Sequence, residues 1–299
     1  MLACIIAYLC LFASIAVGSM ALAEQPLSPV VVAAETPVKK LTEVKLEPSL
    51  IGGRIADDGE LPFSVFLLIG NNTRCTGSVV GPEVLLTAGH CLGGARDSVS
   101  FNIDGRNRRG TCTRHPQFQQ QSGGNINNDF AMCTFSPRVN DESLFAEFET
   151  GNVSVNDRVT LQGFGQNRVG TLQIGDARIV QVDNRDLVTN SNVRLGGGDS
   201  GGGLLLGTPD TRRGPFLIVG VNSRVGGNFS FFNRINLARS LDFFEQFLRD
   251  NRTEACGLNR ECRGGNTGAQ CDSEQDVVDF FKGELDDAER LLDQCLRGR

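Results

Sequence analysis

The chain has 299 residues, enough for one large domain or two ordinary ones with extensions. Hydrophobic residues make up 40% and charged residues 21%, proportions that exclude bulk disorder and a protein of many membrane spans. A formal net charge of -6 without a basic cluster excludes a nucleic-acid partner, because phosphate binding needs a basic surface. The 36 glycines favour an all-β chain, since tight hairpins need backbone conformations that glycine adopts without steric cost.

The first 23 residues are uncharged and apolar and end in Ala21-Leu22-Ala23, a pattern typical of signal-peptide cleavage sites. Residues 1–23 are therefore predicted to be a signal peptide, and the mature protein is expected to be secreted and free of the membrane. The positive charge that usually begins such a segment is missing, so an uncleaved anchor is the alternative. Residues 24–49 contain four prolines and no clear period, which indicates an extended propeptide or, equally well, a solvated linker.

Short β-rich runs separated by Gly, Asn and Asp turns extend from residue 50 to about residue 236, a pattern typical of barrels or sandwiches. The clearest runs are 64–69, 78–86, 159–163 and 216–221. Residues 238–248 then have the mixed apolar spacing of a single helix, which is predicted to close the domain.

A separate segment at residues 250–299 holds four cysteines: Cys256, Cys262, Cys271 and Cys295. A capping box at residues 273–276 precedes an apolar stripe at helical spacing, so a small disulfide-stapled helical extension is predicted. Four cysteines allow three pairings, and the sequence does not choose among them. The stripe is expected to pack on the main domain or on its own loop, with docking to a surface or partner as the alternative.

The cysteines beyond the leader number eight, an even count that suits disulfides in an oxidising compartment. There is no Cys-x-x-Cys pair, and His90 and His115 are the only histidines, so neither a metal site nor a cofactor is expected. Asn-x-Ser/Thr sequons, which would make a glycoprotein in a glycosylating cell, begin at Asn71, Asn152, Asn228 and Asn251.

Three segments carry the groups that acyl transfer from a peptide needs: a nucleophile, a base, a group that orients the base, and donors for the oxyanion. TAGHC places His90 at the end of an apolar strand, and NNDFAM places Asp129 at the start of a hydrophobic strand, as expected for a buried orienting carboxylate. GDSGG places Ser200 in a Gly-rich turn, where backbone N–H groups can point into a shared pocket.

TAGHC and GDSGG resemble the His and Ser boxes of trypsin-like proteases, NNDFAM resembles their Asp box, and SLIGGRIA is similar to their mature N-terminus. The boxes occur in the family's order, and the resemblance covers residues 50–249. It implies an all-β fold of two six-stranded antiparallel β-barrels with a C-terminal helix. It also implies a serine endopeptidase that cleaves proteins or peptides through an acyl-enzyme intermediate, and we expect a monomer.

By this resemblance Ser200 is the nucleophile, His90 the general base and then acid, and Asp129 the orienting carboxylate. The N–H groups of Gly198 and Ser200 would form the oxyanion hole. His115 matches a surface motif before the Asp box and is expected to be structural. The alternative function is a catalytically silent homologue that binds a partner protein through the cleft, although all three triad residues are present.

Two cysteine pairs are expected in the protease domain. Cys75 and Cys91 match the family's disulfide beside the His box, whereas free buried thiols are the alternative that secretion disfavours. Cys112 and Cys133 have no family counterpart, but they flank the Asp box and are expected to bridge around Asp129.

The resemblance further implies that Asp199 pairs with the amine freed by propeptide cleavage, which alignment assigns to Leu50. Ser49 precedes Leu50, whereas the family has Arg or Lys before Ile or Val, so a tryptic cut is not expected here. Processing by a non-tryptic enzyme or by the protease itself is the hypothesis, and a terminus at Ile51 is the alternative.

Arg194, six residues before Ser200, corresponds to the base of the family's primary pocket. A cation there would repel Lys or Arg at the cleaved position and favour Asp or Glu. The family's pocket disulfide is absent, however, so a rearranged loop with Arg194 facing solvent is equally expected. Ser223-Arg224-Val225 resembles the strand that pairs with substrate backbone, and Val225 would narrow the pocket mouth.

Overall fold

The computed structural model describes residues 50–262 except 122–125, 166–170 and 208–214. The predicted signal peptide, the predicted propeptide and residues 263–299, with Cys271 and Cys295, lie outside the described residues. In the part that is described, no helix has both the length and the apolar character that a bilayer crossing requires.

The first half of the described chain forms a closed antiparallel barrel. Its strands and the short strands beside it are, in chain order, β1 (Arg54–Ile55), β2 (Ser64–Ile69), β3 (Thr73–Gly81), β4 (Val84–Thr87), β5 (Arg96–Ile103), β6 (Arg106–Arg114), β7 (Gln119–Gln120), β8 (Ile126–Asn127), β9 (Ala131–Ser136) and β10 (Glu147–Phe148). The barrel closes in the order β2-β3-β4-β9-β6-β5. Inward residues such as Leu67 and Leu85 fill it, because successive side chains of a strand point to opposite faces.

The second half forms another barrel. Its strands are β11 (Arg158–Gly163), β12 (Gln173–Val182), β13 (Asp186–Asn190), β14 (Gly203–Leu206), β15 (Leu217–Gly226) and β16 (Phe229–Arg234). They follow the order β12-β11-β14-β15-β16-β13, and pairing of β12 with β13 closes the ring. The strand β1 adds to β12, and β10 runs parallel to β15.

The predicted all-β class, with two six-stranded barrels and a terminal helix, is confirmed. The predicted helix is α1 (Ala238–Asn251), three residues longer than expected. The prediction of one strand over 78–86 is wrong, because this run is the end of β3 and most of β4, in a hairpin that pairs Gly81 with Val84. Pro82 lies in the turn, where its fixed φ and missing N–H donor are tolerated.

Phenylalanines anchor α1 to the first barrel in a chain that has no tryptophan. Phe244 is fully buried and packs edge-to-face on Phe130, with ring centroids 5.2 Å apart. Phe243 lies 4.8 Å from the ring of His115. The helix thereby supports the segment that leads into β9.

The described part of the structure contains three disulfides, Cys75–Cys91, Cys112–Cys133 and Cys256–Cys262. The second joins directly opposite residues of β6 and β9 and closes the loop that contains Asp129. The third lies in the C-terminal segment, where the Cys256 N–H donates to the Val80 carbonyl at 2.8 Å. The start of this segment therefore packs against the first barrel.

Glu147 on β10 is a half-buried carboxylate whose Oε1 has no partner among the described residues. Burial, and then the charge of Glu149, raise its pKa to about 7. The folded state then binds more protons than the unfolded state between its ordinary pKa and pH 7, so this group lowers stability as pH rises through that window.

We therefore expect Glu147→Gln to raise the free energy of unfolding more at pH 8 than at pH 4, by about 1 kcal/mol. This value is reduced because the carboxyl group keeps some contact with solvent. Thermal unfolding at both pH values measures it. Glu245→Gln on the exposed face of α1 is the matched control, and an equal effect of Glu147→Gln at both pH values would contradict the assignment.

Candidate active site

Two hydrogen bonds join His90 to Asp129. The ring Nδ1 lies 2.7 Å from Asp129 Oδ2, and the His90 backbone N–H donates to Oδ1 at 2.8 Å. His90 lies in a 3-10 turn directly after β4, and Asp129 lies just before β9. Thr87 at the end of β4 pairs with Ala131 at the start of β9, so the register of the first barrel brings these two side chains together.

The carboxylate of Asp129 has no solvent exposure and is also held from the second barrel. The Ser223 hydroxyl donates to Oδ2 at 2.6 Å, and the Asp129 N–H donates to Asn233 Oδ1 at 2.7 Å. With both His90 donors, three hydrogen bonds fix the orientation of the carboxylate. Because buried carboxylates need such partners, the geometry of this group depends on both barrels.

The His90 ring is set up to accept a proton. Burial disfavours the charged ring, but the hydrogen bond with Asp129 and the charge of Asp129 outweigh burial and raise the pKa of His90 above its ordinary value. The Nδ1 contact with a carboxylate places the proton on Nδ1 and leaves Nε2 as the acceptor of the neutral ring. The side chain keeps 22% of its surface open, so Nε2 can meet a donor in the cleft.

Ser200 lies in a turn packed against the strand that leads to His90. Its carbonyl accepts from the Thr76 N–H at 2.8 Å, and Thr76 follows Cys75, which is bonded to Cys91. A Cβ on Gly201 would lie 2.8 Å from the Ala88 nitrogen, and φ there is +88°, so glycine permits this approach. The Ser200 hydroxyl makes no hydrogen bond with the His90 ring among the described residues; such contacts commonly tighten only when substrate binds.

The turn at Ser200 carries two backbone donors. The N–H groups of Gly198 and Ser200 have no acceptor within the described part of the chain. The Thr76 hydroxyl donates to the Gly198 carbonyl at 3.0 Å, and Gly198 has φ +90°. Unpaired N–H groups held this way can stabilise a negative oxygen beside the serine. Sequence reasoning missed Thr76, although a polar residue directly after Cys75 in an apolar strand was a usable signal.

Asp199 is a fully buried carboxylate without a cationic partner among the described residues. It accepts from the N–H groups of Gly165 at 3.0 Å and Gly196 at 2.7 Å. Burial raises its pKa to about 7 despite these two donors. In this intact chain the Leu50 nitrogen is an amide, and it donates to Gln173 Oε1 at 3.0 Å.

Arg194 is tied to the tip of a hairpin. Its Nη1 donates to Asn228 Oδ1 at 2.8 Å and to the Gly227 carbonyl at 3.4 Å. Gly226 pairs with Phe229, so only Gly227 and Asn228 connect β15 to β16. Val225, which precedes this turn, is 54% exposed, whereas Ser223 is buried.

A buried polar network that the sequence did not reveal extends from Asp129. Asn233, whose Oδ1 accepts from Asp129, donates through Nδ2 to Asp186 Oδ1 at 2.8 Å. Asp186 is fully buried and also accepts from Arg185 Nε at 2.7 Å and from both terminal nitrogens of Arg224. The available signal was an acid and an amide at the ends of apolar strands, since buried polar groups there need partners.

His115 is separate from this site. It is 4% exposed, accepts from the Gln117 N–H at Nδ1, and lies 3.2 Å through Nε2 from the Arg239 carbonyl. Burial lowers its pKa. The surface location that the motif predicted is wrong, because this side chain is buried against Phe243; its contacts support the expected structural role. Across the described residues, no group of His, Cys, Asp and Glu could hold a metal ion.

The double-barrel fold with a histidine–aspartate pair beside a Gly-rich serine turn is that of a class of serine hydrolases. The Trypsin family model matches residues 50–239, and the chain belongs to this family.

Several relatives of the chain are insect proteins. Serine protease 1 and Serine protease 2 of Drosophila melanogaster are each 29% identical over 221 residues, which cover 63% of this chain and 78% of theirs. Lectizyme of Glossina austeni is 26% identical over 198 residues, covering 54% of this chain and 72% of its own.

The two histidines should titrate on opposite sides of the ordinary histidine pKa, His90 above it and His115 below it. Imidazole NMR of the Ser200→Ala protein measures both, with His115→Gln used for assignment. Asp129→Asn should lower the pKa of His90, because it removes the charge that favours the imidazolium, and should leave His115 unchanged. An unaltered His90 titration in Asp129→Asn would show that the ring and the carboxylate do not interact.

Proposed function

We propose that the chain is a secreted serine endopeptidase in which Ser200, His90 and Asp129 act as a catalytic triad. The observation that carries the proposal is the paired contact of His90 with buried Asp129, beside a serine turn in which two N–H groups have no acceptor among the described residues. Membership of the trypsin family and the relatives named as serine proteases support it.

In this mechanism Ser200 Oγ attacks the peptide carbonyl while His90 Nε2 takes its proton. The N–H groups of Gly198 and Ser200 hold the oxyanion, and Asp129 stabilises the imidazolium that forms. His90 then gives the proton to the leaving amine, which breaks the C–N bond and leaves an acyl-enzyme. Water, deprotonated by His90, hydrolyses the ester and restores the Ser200 hydroxyl.

We propose residues 1–23 as a signal peptide, 24–49 as a propeptide, 50–249 as a monomeric protease domain and 250–299 as an extension. Three disulfides support an oxidising compartment and therefore secretion.

We propose that processing frees the amine of Leu50 and that this amine pairs with Asp199. The support is chemical, because Asp199 is buried without a cationic partner among the described residues and Leu50 is itself fully buried in the second barrel. An ammonium group beside Asp199 would lower its pKa and fix the turn at residues 196–200 that carries the oxyanion donors.

Asp199→Asn should therefore have opposite effects on activity and stability. In processed protein it should lower turnover at least about a hundredfold, since the oxyanion donors lose their anchor. In the intact chain the substitution should raise the melting temperature more at pH 8 than at pH 4, because the carboxylate that it replaces is charged only above about pH 7 in the folded protein. N-terminal sequencing should return Leu50 or Ile51, and active material that begins at Glu24 would refute this activation.

We propose that the primary pocket does not select Lys or Arg. By the family resemblance Arg194 corresponds to the base of this pocket, and its contacts with Gly227 and Asn228 hold its positive charge at the hairpin that follows Ser223 to Val225. A cationic side chain entering there would meet a like charge that has no acidic partner among the described residues.

Profiling of the processed enzyme with a peptide library, beside a Ser200→Ala control, tests activity and selectivity together. Ser200→Ala should lower turnover at least about a thousandfold, because the hydroxyl supplies the bond-forming oxygen. A serine-directed covalent probe should label the wild type and not the variant; failure to label the processed wild type would favour the silent homologue. Efficient cleavage after Lys or Arg would refute the proposed selectivity.

A further inference from the structure

A polar surface groove of about 420 Å³ lies beside Asn128, the residue before Asp129. The side chains that line it are five amides, among them Gln117 and Asn128, and two arginines, Arg185 and Arg239. Within the described residues its lining includes neither an acidic nor an aliphatic side chain. We call it the arginine groove. A site of this composition favours a polar anionic ligand.

Hydrogen bonds hold the two arginines in place but use only some of their N–H donors. Arg185 uses Nε on Asp186 and Nη1 on Asn127 Oδ1, at 3.1 Å. Arg239 is exposed and uses Nη2 on the Asn184 carbonyl, at 2.5 Å. Each guanidinium carries five N–H donors, so both retain donors for a ligand.

Positive charge is in excess around the groove. Asp186 is shared by Arg185 and Arg224. Arg234 donates to the Asp183 carbonyl. Burial lowers the pKa of Arg234; the negative charge of Asp183 opposes this effect, and the positive charge of Arg239 adds to it. An anion near Arg239 would relieve this repulsion, although the chain as a whole carries a net charge of -6.

The Asn128 side chain shapes the groove without offering its oxygen to a ligand. It donates through Nδ2 to the Gln117 carbonyl at 2.9 Å, and its Oδ1, which has no donor among the described residues, is buried. The principal donors that the groove offers are therefore those of the two guanidinium groups, whose planar forks fit the carboxylate of an acidic side chain.

We propose that the arginine groove is a second binding site, which holds an acidic residue in a segment of the protein substrate that flanks the scissile bond. The Asp or Glu carboxylate binds Arg239 and Arg185. Asn128 directly precedes Asp129, so the groove lies beside the segment that carries the orienting carboxylate. This proposal rests on the proposed protease function, but binding can be measured without turnover.

The test is fluorescence anisotropy of the full chain carrying Ser200→Ala, with labelled peptides that contain either four glutamates or four glutamines. The Glu peptide should bind at least about fivefold more tightly than the Gln peptide, and added salt should reduce the difference. Arg239→Gln should weaken Glu-peptide binding about fivefold. Arg239→Lys keeps the charge but loses the planar fork, so its affinity for the Glu peptide should lie between that of Arg239→Gln and that of the protein with Arg239.

Arg249→Gln is the matched control, since it removes the same charge from an exposed position of α1 and should leave binding unchanged. Melting temperatures check that all variants fold. Three results would each overturn the proposal. The two peptides could bind with equal affinity, or Arg239→Gln and Arg249→Gln could weaken binding equally. The third is binding of a sulfated oligosaccharide without discrimination between the peptides. If the peptides are discriminated as expected but the processed wild type has no turnover, the protease function alone is refuted.

Discussion

The buried carboxylate of Asp129 is the interaction on which the site depends, because its donors come from both barrels. The His90 donors come from the end of β4 and the Ser223 hydroxyl comes from β15, while Asn233 on β16 accepts from the Asp129 backbone N–H. A displacement of one barrel would leave a charge in a dry environment without its hydrogen bonds, which is among the most costly defects that a fold can carry. The carboxylate therefore orients the histidine and fixes the relative position of the two barrels at the site.

The junction between the barrels is polar elsewhere too. The Ser64 hydroxyl and the Ser78 hydroxyl both contact the side chain of Gln162, and Ser78 also accepts from the Gly203 N–H at 3.2 Å. Thr76 donates to Gly198 and accepts from the Phe164 N–H at 3.1 Å. Apolar contacts tolerate sliding, but hydrogen bonds between buried groups are satisfied in one arrangement only. This junction can hold the serine turn at a defined distance from the histidine turn.

The fold class and the principal site residues could be predicted because local sequence specifies them. Glycine-rich turns, alternating strands and the three boxes are short patterns, and each of them is contiguous. The roles of Asn233 and Asp186 could not be predicted in this way, since Asp186 lies 57 residues beyond Asp129 and its contact depends on the register of β13 with β16. The surroundings of Arg194 were equally hidden, because the two-residue connection between β15 and β16 decides what that side chain meets.

Asp129 and Asp199 are both fully buried carboxylates, but their hydrogen-bond partners in the intact chain differ. Asp129 has an imidazole, a hydroxyl and a backbone N–H as partners, whereas Asp199 has two backbone N–H groups and burial raises its pKa to about 7. The contacts of His90 with Asp129 are thus complete in the unprocessed chain, whereas Asp199 has no counter-charge among the described residues. In the proposed activation, cleavage would therefore act on the turn that carries Asp199 and the proposed oxyanion donors, and it would leave the pairing of His90 with Asp129 unchanged.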